Sequence, residues 1–320
     1  MSSNKYINVL DRYERYNIIN NIIEEKIKNA KNKCLYPLKF GKYTLNDVII
    51  LLKTIGSQSL NANVFISEIK DIKYKFATKV QLLTSNTYDE VKILEVITKT
   101  SINNKNIHLP LMFNNLECSY FNKNDNLLPL KDEENKYTHI NAYYSTFVEL
   151  ADGDLKSFLL KNKEKITLKQ INNILSQCFI AILSCHRIKI IHNDTHLANF
   201  LYHNIKKKNK SCFKYIYKDL VFYIENLGLN WVIWDFGYSK YSSLFMDNNY
   251  IDDYILFLET FLEIFLESRN DSRNKSIKIL DLYYNIMHFK KDYELISFLL
   301  KKNILFSHEP IGDIITTINL

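Results

Sequence analysis

The stretch that decides the fold reads Ile191-His192-Asn193-Asp194-Thr195-His196-Leu197-Ala198-Asn199. A second stretch, Trp234-Asp235-Phe236-Gly237, follows later in the chain. The first stretch lies between two short apolar runs, and Val232-Ile233-Trp234 leads directly into Asp235. Short apolar runs of this kind predict buried strands. Both stretches are therefore predicted to be loops at the ends of strands.

The polar side chains of interest in these loops are Asp194, Asn199 and Asp235. Carboxylate and amide oxygens are suitable Mg²⁺ ligands, and a carboxylate can accept the proton of a hydroxyl group. Phosphoryl transfer needs such groups because the charge on the phosphoryl oxygens has to be neutralised in the transition state. The spacing therefore predicts a phosphoryl-transfer site. The alternative is that Asp194 and Asn199 cap a turn, but the order of the two stretches favours the site.

The two loops resemble those of the protein kinase superfamily, in which a His stands two residues before the first Asp and the second Asp opens Asp-Phe-Gly. Two features are haspin-like: His196, where typical Ser/Thr kinases have Lys, and an alternating pattern over 212–224 that predicts a hairpin. The whole arrangement resembles the Ser/Thr protein kinases of large cytoplasmic DNA viruses. The resemblance covers about residues 50 to 265 and is strongest over 188 to 240.

The resemblance implies roles for the loop residues. Asp194 would be the catalytic base, and Asn199 and Asp235 would be the metal ligands that hold Mg²⁺ on ATP. Asp252, or as the second choice Asp253, would brace the catalytic loop from the helix that follows.

The two residues before Asp194 also have expected roles under this resemblance. His192 is expected to stack with Phe236 in a structural role. Asn193 replaces the Arg of His-Arg-Asp, so switching by phosphorylation of the activation segment is not expected.

A lysine and a glutamate upstream are predicted to form an ion pair. Lys79, in Phe76-Ala77-Thr78-Lys79-Val80, resembles the lysine of the V-A-I-K strand that contacts the ATP phosphates. Glu90 lies near the start of a predicted amphipathic helix, where the resemblance places the partner of that lysine. Glu95 is the alternative, but it lies nearly on the opposite side of the helix. Lys79 and Glu90 are accordingly expected to belong to the catalytic machinery.

Further nucleotide contacts are implied by the resemblance. Gly56 matches the first glycine of a G-x-G-x-x-G loop, although Gln58 and Asn61 stand in the other two glycine positions, and a plain hairpin is the alternative.

The segment after residue 145 resembles the hinge between two lobes. Backbone groups of Glu149 and Ala151 would bind the adenine, while Asp154 would either hold the ribose or cap the next helix.

The resemblance implies an α+β fold: a two-lobed protein-kinase-like structure with a small β-rich N-lobe and a mostly helical C-lobe with a short activation segment. Residues 1–45 are expected to form an N-terminal helical extension, 46–150 the N-lobe and 151–320 the C-lobe. Apolar periodicity predicts helices over about 13–30 and 166–187.

Composition narrows the protein class. The chain has 320 residues, 47% of them hydrophobic, with only 6 Gly and 4 Pro, which predicts a globular protein with a substantial core. Five cysteines without C-x-x-C spacing predict free thiols in a reducing compartment rather than a disulfide framework or a zinc site. With no long apolar run, no membrane contact is expected. The predicted location is intracellular and soluble, in the host cytoplasm or the virion if the chain is viral.

The net charge of +7 has its densest cluster at Lys206-Lys207-Lys208-Asn209-Lys210. Contact with nucleic acid or an acidic surface is one interpretation. A solvated loop tip is favoured, because no recognition helix or stacking motif accompanies the cluster.

Three functions remain at this point. The first is a Ser/Thr protein kinase that uses ATP and Mg²⁺ and takes a protein substrate. The second is a small-molecule kinase of the aminoglycoside or choline kinase type, which His196 and the lack of Ala-Pro-Glu after Gly237 support. The third is a pseudokinase scaffold, which only the unusual glycine loop supports. The presence of every catalytic group argues against the third, and the hairpin over 212–224 favours the first over the second.

Overall fold

A computed structural model describes most of the chain: residues 8–29, 34–37, 43–45, 48–56, 62–72, 74–82, 84–118, 143–207, 210–242, 250–266 and 273–320. Gln58 and Asn61 of the predicted glycine loop lie outside the described residues. The described residues form mixed helix and sheet, which confirms the α+β class.

Helices and strands of the described residues are numbered in chain order. The helices are α1 (Asp11–Asn29), α2 (Ser85–Asn104), α3 (Leu155–Asn162), α4 (Leu168–Arg187), α5 (Ile251–Leu266), α6 (Arg273–Ile286) and α7 (Asp292–Lys301). The strands are β1 (Leu35–Pro37), β2 (Tyr43–Leu45), β3 (Ile49–Ile55), β4 (Ala62–Ile69), β5 (Lys75–Leu82), β6 (Met112–Cys118), β7 (Tyr143–Val148), β8 (Gly153–Asp154), β9 (Ile190–Ile191), β10 (Phe200–Asn204), β11 (Ser211–Tyr217), β12 (Leu220–Glu225), β13 (Leu229–Ile233), β14 (Lys240–Tyr241) and β15 (Asp313–Asn319).

The described residues divide into two compact units. The first holds the described parts of 11–95 and 111–150, and the second holds 8–10, 96–110 and the described parts of 151–320. The predicted domains and these units differ in three places. Residues 8–10 and residues 96–110 fall in the second unit, and α1 falls in the first unit rather than standing apart as an extension.

The first unit is built on a curled antiparallel sheet of seven strands in the order β1-β2-β3-β4-β5-β7-β6. Buried and half-buried positions alternate along β4, as expected for a strand with one face in the core, whereas nearly all of β5 and all of β7 are buried. The central strands therefore carry their polar side chains in a largely solvent-free environment.

Helix α1 is part of the core of this unit. Asp11 and Glu14 lie in its first turn and Lys26 and Lys28 in its last, where their charges interact favourably with the helix dipole. Ile19 and Ile23 are buried with apolar residues of the sheet. The buried residues of this core are Ile19, Ile23, Leu45, Val48, Ile49, Leu51, Phe65, Ile69, Tyr74, Phe76, Val80, Leu82, Phe113, Cys118, Tyr143 and Phe147.

The second unit is built around α4. Thr167 and Gln170 form a capping box at its start, and a long buried face includes Ile171, Ile174 and Phe179. The predicted helix over 166–187 and the predicted hairpin over 212–224 are both present, the latter as β11 and β12. Strand β15 adds to β11 in parallel. None of the described helices combines the length and apolar character that crossing a bilayer requires.

The expectation of five free thiols is wrong. Cys34 and Cys118 form a disulfide that links the segment after α1 to β6, across 84 residues of chain. Only Cys178, Cys185 and Cys212 are free, and all three are buried. Cysteine spacing could not reveal this pair because the two residues are distant in sequence and meet only through the fold.

We expect the disulfide to be measurable directly. Under denaturing conditions without reductant, thiol titration should find three thiols per chain, and after reduction it should find five. Five thiols before reduction would contradict the pairing. Cys118→Ser should lower the free energy of unfolding by about 2–4 kcal/mol, because the bridge restricts the unfolded chain.

Candidate active site

The loop that carries Asp194 lies in the second unit between β9 and β10. At Asn193 the backbone has φ 61°, in the left-handed region that residues other than glycine adopt less often. Lys189, just before β9, has the same φ of 61°.

Asp194 is held in place by Asn199. The amide Nδ2 of Asn199 donates to Oδ2 of Asp194 at 2.9 Å and to the Asp194 carbonyl at 2.8 Å. Because both bonds use the amide nitrogen, the oxygen Oδ1 of Asn199 is the atom suited to ligate a metal. The predicted base and the predicted ligand are therefore in direct contact.

Asp253, at the start of α5, clamps this loop. Its two carboxylate oxygens accept the backbone N–H groups of His192 at 2.8 Å and Asn193 at 2.9 Å. The hydroxyl of Thr195 donates to the Asp253 carbonyl. Asp252, the first choice from sequence, is exposed, so that prediction is wrong and the second choice holds the loop.

His186 connects Asp253 to α7. Its Nε2 lies 3.0 Å from Oδ2 of Asp253, and its Nδ1 lies 2.8 Å from Oδ1 of Asp292. Tyr254 donates to the same Asp292 oxygen at 2.8 Å. Burial lowers the pKa of His186, but the charge of Asp292 and hydrogen bonds to both carboxylates outweigh it and raise that pKa to about 9. The imidazole is therefore protonated at neutral pH and neutralises part of a buried acidic pair.

Asp235 follows β13 and lies beside the same loop. The N–H of Trp234 donates to the Asn199 carbonyl at 2.7 Å, which brings the two predicted metal ligands close along neighbouring backbones. Asp235 itself has φ 62°, a second left-handed residue in the site. The side chain of Asn193 donates to the Tyr238 carbonyl at 3.1 Å, and β14 pairs with β9. The two predicted loops therefore form one connected structure.

His192 has a structural role, as predicted. Its Nε2 lies 2.9 Å from the Trp234 carbonyl, and its ring packs edge-on against Phe236 with 5.0 Å between centroids. Burial lowers the pKa of His192, more than nearby carboxylates raise it, which favours the neutral ring. A neutral ring whose N–H donates to a carbonyl fixes the two loops rather than transferring protons.

The first unit contains the predicted ion pair. Nζ of Lys79 on β5 lies 2.7 Å from Oε1 of Glu90 on α2, and both side chains are buried. Gln81, two residues along β5, donates to the other carboxylate oxygen of Glu90 at 3.1 Å. The alternative Glu95 is exposed and pairs with Lys92 instead. Buried charges are stable only when ion pairs and hydrogen bonds such as these compensate them, so the pair has one well-defined geometry.

The other residues predicted to contact the nucleotide differ in their surroundings. Gly56 directly follows β3 with φ 75°, and a β-carbon added there would meet no other atom, so the turn favours glycine for its backbone conformation and not for lack of space. The N–H of Glu149 donates to the Leu111 carbonyl at 3.1 Å. Asp154 caps α3 through a 2.8 Å bond from the Ser157 N–H, which was one of the two predicted roles. Ala151 is the first residue of the long segment, residues 151–320, that belongs to the second unit.

Two further features lie at the surface of the second unit. His196 lies 3.5 Å from Oδ2 of Asp194 and caps the turn Leu197–Asn199 through Nδ1. Lys206, Lys207 and Lys210 are exposed between β10 and β11, while residues 208 and 209 lie outside the described part. The exposed lysines lie on a connection between strands, as a solvated loop tip would.

Each unit thus gathers its own predicted residues. The second brings Asp194, Asn199 and Asp235 together, and the first brings Lys79 to Glu90. Sequence reasoning missed Gln81 and the link from Asp292 through His186. No local motif marks these residues; Gln81 alone carried a signal, since it lies two positions from Lys79 and so on the same face of a strand.

The donor set fits magnesium. Within the described ranges no group of three or more His, Cys, Asp or Glu side chains could hold a metal ion. Asn199 and Asp235 supply one amide and one carboxylate oxygen, which suits an ion that takes its other ligands from phosphates and water. The residues present therefore fit Mg²⁺ on a nucleotide.

We expect the stability of the protein to depend on His186 protonation. The folded pKa of about 9 lies above the ordinary 6.5, so the stabilisation is fully present below pH 6.5 and is lost as the pH rises through 9. A pKa difference of this size corresponds to about 3 kcal/mol. Urea unfolding between pH 6 and 9 should show the loss, and Asp292→Asn should flatten it. Exposed His308→Gln is the matched control. If the unfolding free energy of Asp292→Asn fell with pH as steeply as that of the wild type, the role of His186 would be contradicted.

The chain matches no model of a known protein family and no curated protein sequence. The contacts of Asp194, Asn199, Asp253, Lys79 and Glu90 are therefore the basis on which a function can be assigned.

Proposed function

We propose that the chain is an ATP- and Mg²⁺-dependent phosphotransferase, most specifically a Ser/Thr protein kinase that moves the γ-phosphate of ATP to a protein hydroxyl. The observation that carries the proposal is the positioning of Asp194. Asn199 bonds its carboxylate, and Asp253 clamps the backbone of the two residues before it. A candidate base held by this many contacts is preorganised for proton transfer.

A two-lobed protein-kinase-like fold is part of the proposal. It is supported by the antiparallel sheet of the first unit, by α2 as the carrier of Glu90, and by the mostly helical second unit with its two loops. The hairpin of β11 and β12 before Asp235 supports the haspin-like assignment.

Asp194 would act on the acceptor. The acceptor hydroxyl attacks the γ-phosphorus, its proton passes to the Asp194 carboxylate, and the bond from that phosphorus to the bridging oxygen breaks to release ADP. Asn199 keeps the carboxylate oriented through its amide group. The left-handed backbone at Asn193 and Asp235 is maintained by Asp253 and by the contacts between the two loops.

Asn199 and Asp235 would hold Mg²⁺. When bound, the ion supplies positive charge that neutralises the phosphate oxygens. Asn199 would use Oδ1, because its nitrogen already donates to Asp194. Asp235 would use its carboxylate.

Lys79 would bind the α- and β-phosphates, and Glu90 would position it. The ammonium group lies 2.7 Å from the Glu90 carboxylate, and Gln81 holds the second oxygen of that carboxylate. Glu90 thereby has one orientation, which limits the positions available to Lys79.

A small-molecule acceptor is the second candidate. It is supported by His196, a half-exposed ring 3.5 Å from the Asp194 carboxylate. An imidazole at this point leaves space and a polar edge for a small hydroxyl compound, whereas a lysine would place a charge on the transferred phosphate.

Asp194→Asn should reduce phosphate transfer by about 10²–10⁴-fold, since it removes the base and keeps the shape. The measurement is transfer of labelled γ-phosphate from Mg·ATP to casein, to histone and to the protein itself. Exposed Asp281→Asn on α6 is the matched control and should transfer as the wild type does.

The acceptors separate the two candidates. Label on protein that disappears with Asp194→Asn would support the protein kinase. ATP hydrolysis or transfer to small hydroxyl compounds, without label on protein, would support the second candidate. Unchanged transfer by Asp194→Asn would overturn the assignment of the base.

Asp235→Asn should weaken the use of Mg²⁺. A carboxylate ligand contributes charge that an amide lacks, so the Mg²⁺ concentration for half-maximal transfer should rise, by roughly tenfold for a loss of about 1.4 kcal/mol. A titration of Mg²⁺ at fixed ATP measures this. A metal dependence identical to that of the wild type would contradict the role of Asp235 as a ligand.

A further inference from the structure

Arg12 forms a buried ion pair with Glu149, 137 residues away in sequence. The guanidinium engages both carboxylate oxygens: Nε donates to Oε2 at 3.0 Å, and Nη2 donates to Oε1. The Arg12 side chain is fully buried and that of Glu149 is 6% exposed. Two-point binding by a planar guanidinium fixes both the position and the orientation of the carboxylate.

Glu149 is tied to the sheet at the same point. Its Oε1 accepts the Leu111 N–H at 3.2 Å, and its own N–H donates to the Leu111 carbonyl at 3.1 Å. Glu149 directly follows Val148, the last residue of β7. Arg12 therefore acts on the chain immediately after the end of a central strand.

Helix α1 is in turn packed firmly against the sheet of the first unit. Ile19 and Ile23 are in the core, and Tyr16 stacks on Phe113 at 5.9 Å between centroids. The disulfide between Cys34 and Cys118 secures the chain that follows α1. A rigid support of this kind lets one arginine in the first turn of α1 define a distant backbone position.

We propose that Arg12 is a positioning residue of the nucleotide site, which sets the backbone of Glu149 for adenine recognition. The inference rests on the proposed function, in which Glu149 contacts the adenine. Because the Glu149 N–H donates to Leu111, the contact is assigned to the Glu149 carbonyl, which would accept the 6-amino group of the base. The first turn of α1, which carries Arg12, then supports the nucleotide site.

The charge balance explains why Arg12 cannot be replaced without effect. Removal of one partner leaves a buried charge uncompensated, whereas replacement of both partners by apolar residues is tolerated in many proteins. Without Arg12, the Glu149 carboxylate would have to become protonated or move toward water, and either change would shift the backbone that carries the carbonyl.

The test compares the binding of Mg·ATP and Mg·ITP by calorimetry. Inosine has an oxygen in place of the 6-amino group and a protonated N1, so the ratio of the two Kd values measures recognition of this edge of the base. We expect the wild type to prefer ATP and Arg12→Met to lose about tenfold in ATP affinity, the value of one hydrogen bond. The Kd for ITP should stay within about threefold, which a general loss of structure would not allow.

Three further variants serve as controls. Arg12→Lys keeps the charge but lacks the planar guanidinium group, so its affinity for Mg·ATP should lie between those of the wild type and Arg12→Met. The double variant Arg12→Met/Glu149→Met removes both charges, should remain folded, and should still lack the preference for ATP. Lys28→Met, on the exposed part of the same helix, should bind as the wild type does.

The outcomes separate the two proposals. A wild type that binds no Mg·ATP would overturn the proposed function and this inference together. A wild type that prefers ATP, with Arg12→Met and the double variant showing the same preference, would overturn the role of Arg12 and leave the phosphotransferase intact. If Arg12→Met lost affinity for ATP and for ITP to the same extent, the ion pair would only fasten α1 to the sheet.

Discussion

The carboxylate of Asp253 is the group on which the geometry of the second unit's site depends. It is 2% exposed, and its oxygens accept the N–H groups of His192 and Asn193 and contact His186. A buried carboxylate is stable only when such partners surround it. In return, it holds Asn193 in a left-handed conformation, which directs the next residue, Asp194, toward Asn199. The same principle of a buried acid with several fixed donors applies to Glu90 and Glu149 in the first unit.

Local patterns made the loops, α4 and the β11–β12 hairpin predictable. Each of these depends on residues within a few positions of one another, so periodicity and motif spacing carry the information. Lys79 and Glu90 were predictable through the resemblance to kinases, and the two residues are only 11 positions apart, on a strand and on the helix that follows it. The choice between Asp252 and Asp253 could not be predicted, because two neighbouring carboxylates in the first turn of a helix differ only in the direction in which they point, by about 100°.

Contacts between distant parts of the chain could not be predicted. Arg12 and Glu149, Cys34 and Cys118, and His186 and Asp292 meet only because the fold brings them together. Helix α1 is mostly polar and buries few apolar residues, so its sequence suggested an extension rather than a support for the sheet. Its part in the core follows from Ile19 and Ile23, and its proposed part in the nucleotide site follows from one arginine.

The most direct test of the phosphotransferase proposal is a crystal structure of the protein with Mg²⁺ and a non-hydrolysable ATP analogue. We expect Mg²⁺ at about 2.1 Å from Oδ1 of Asn199 and from a carboxylate oxygen of Asp235, with the ion also bound to phosphate oxygens. Nucleotide bound elsewhere, or a metal ion that contacts neither residue, would contradict the proposal.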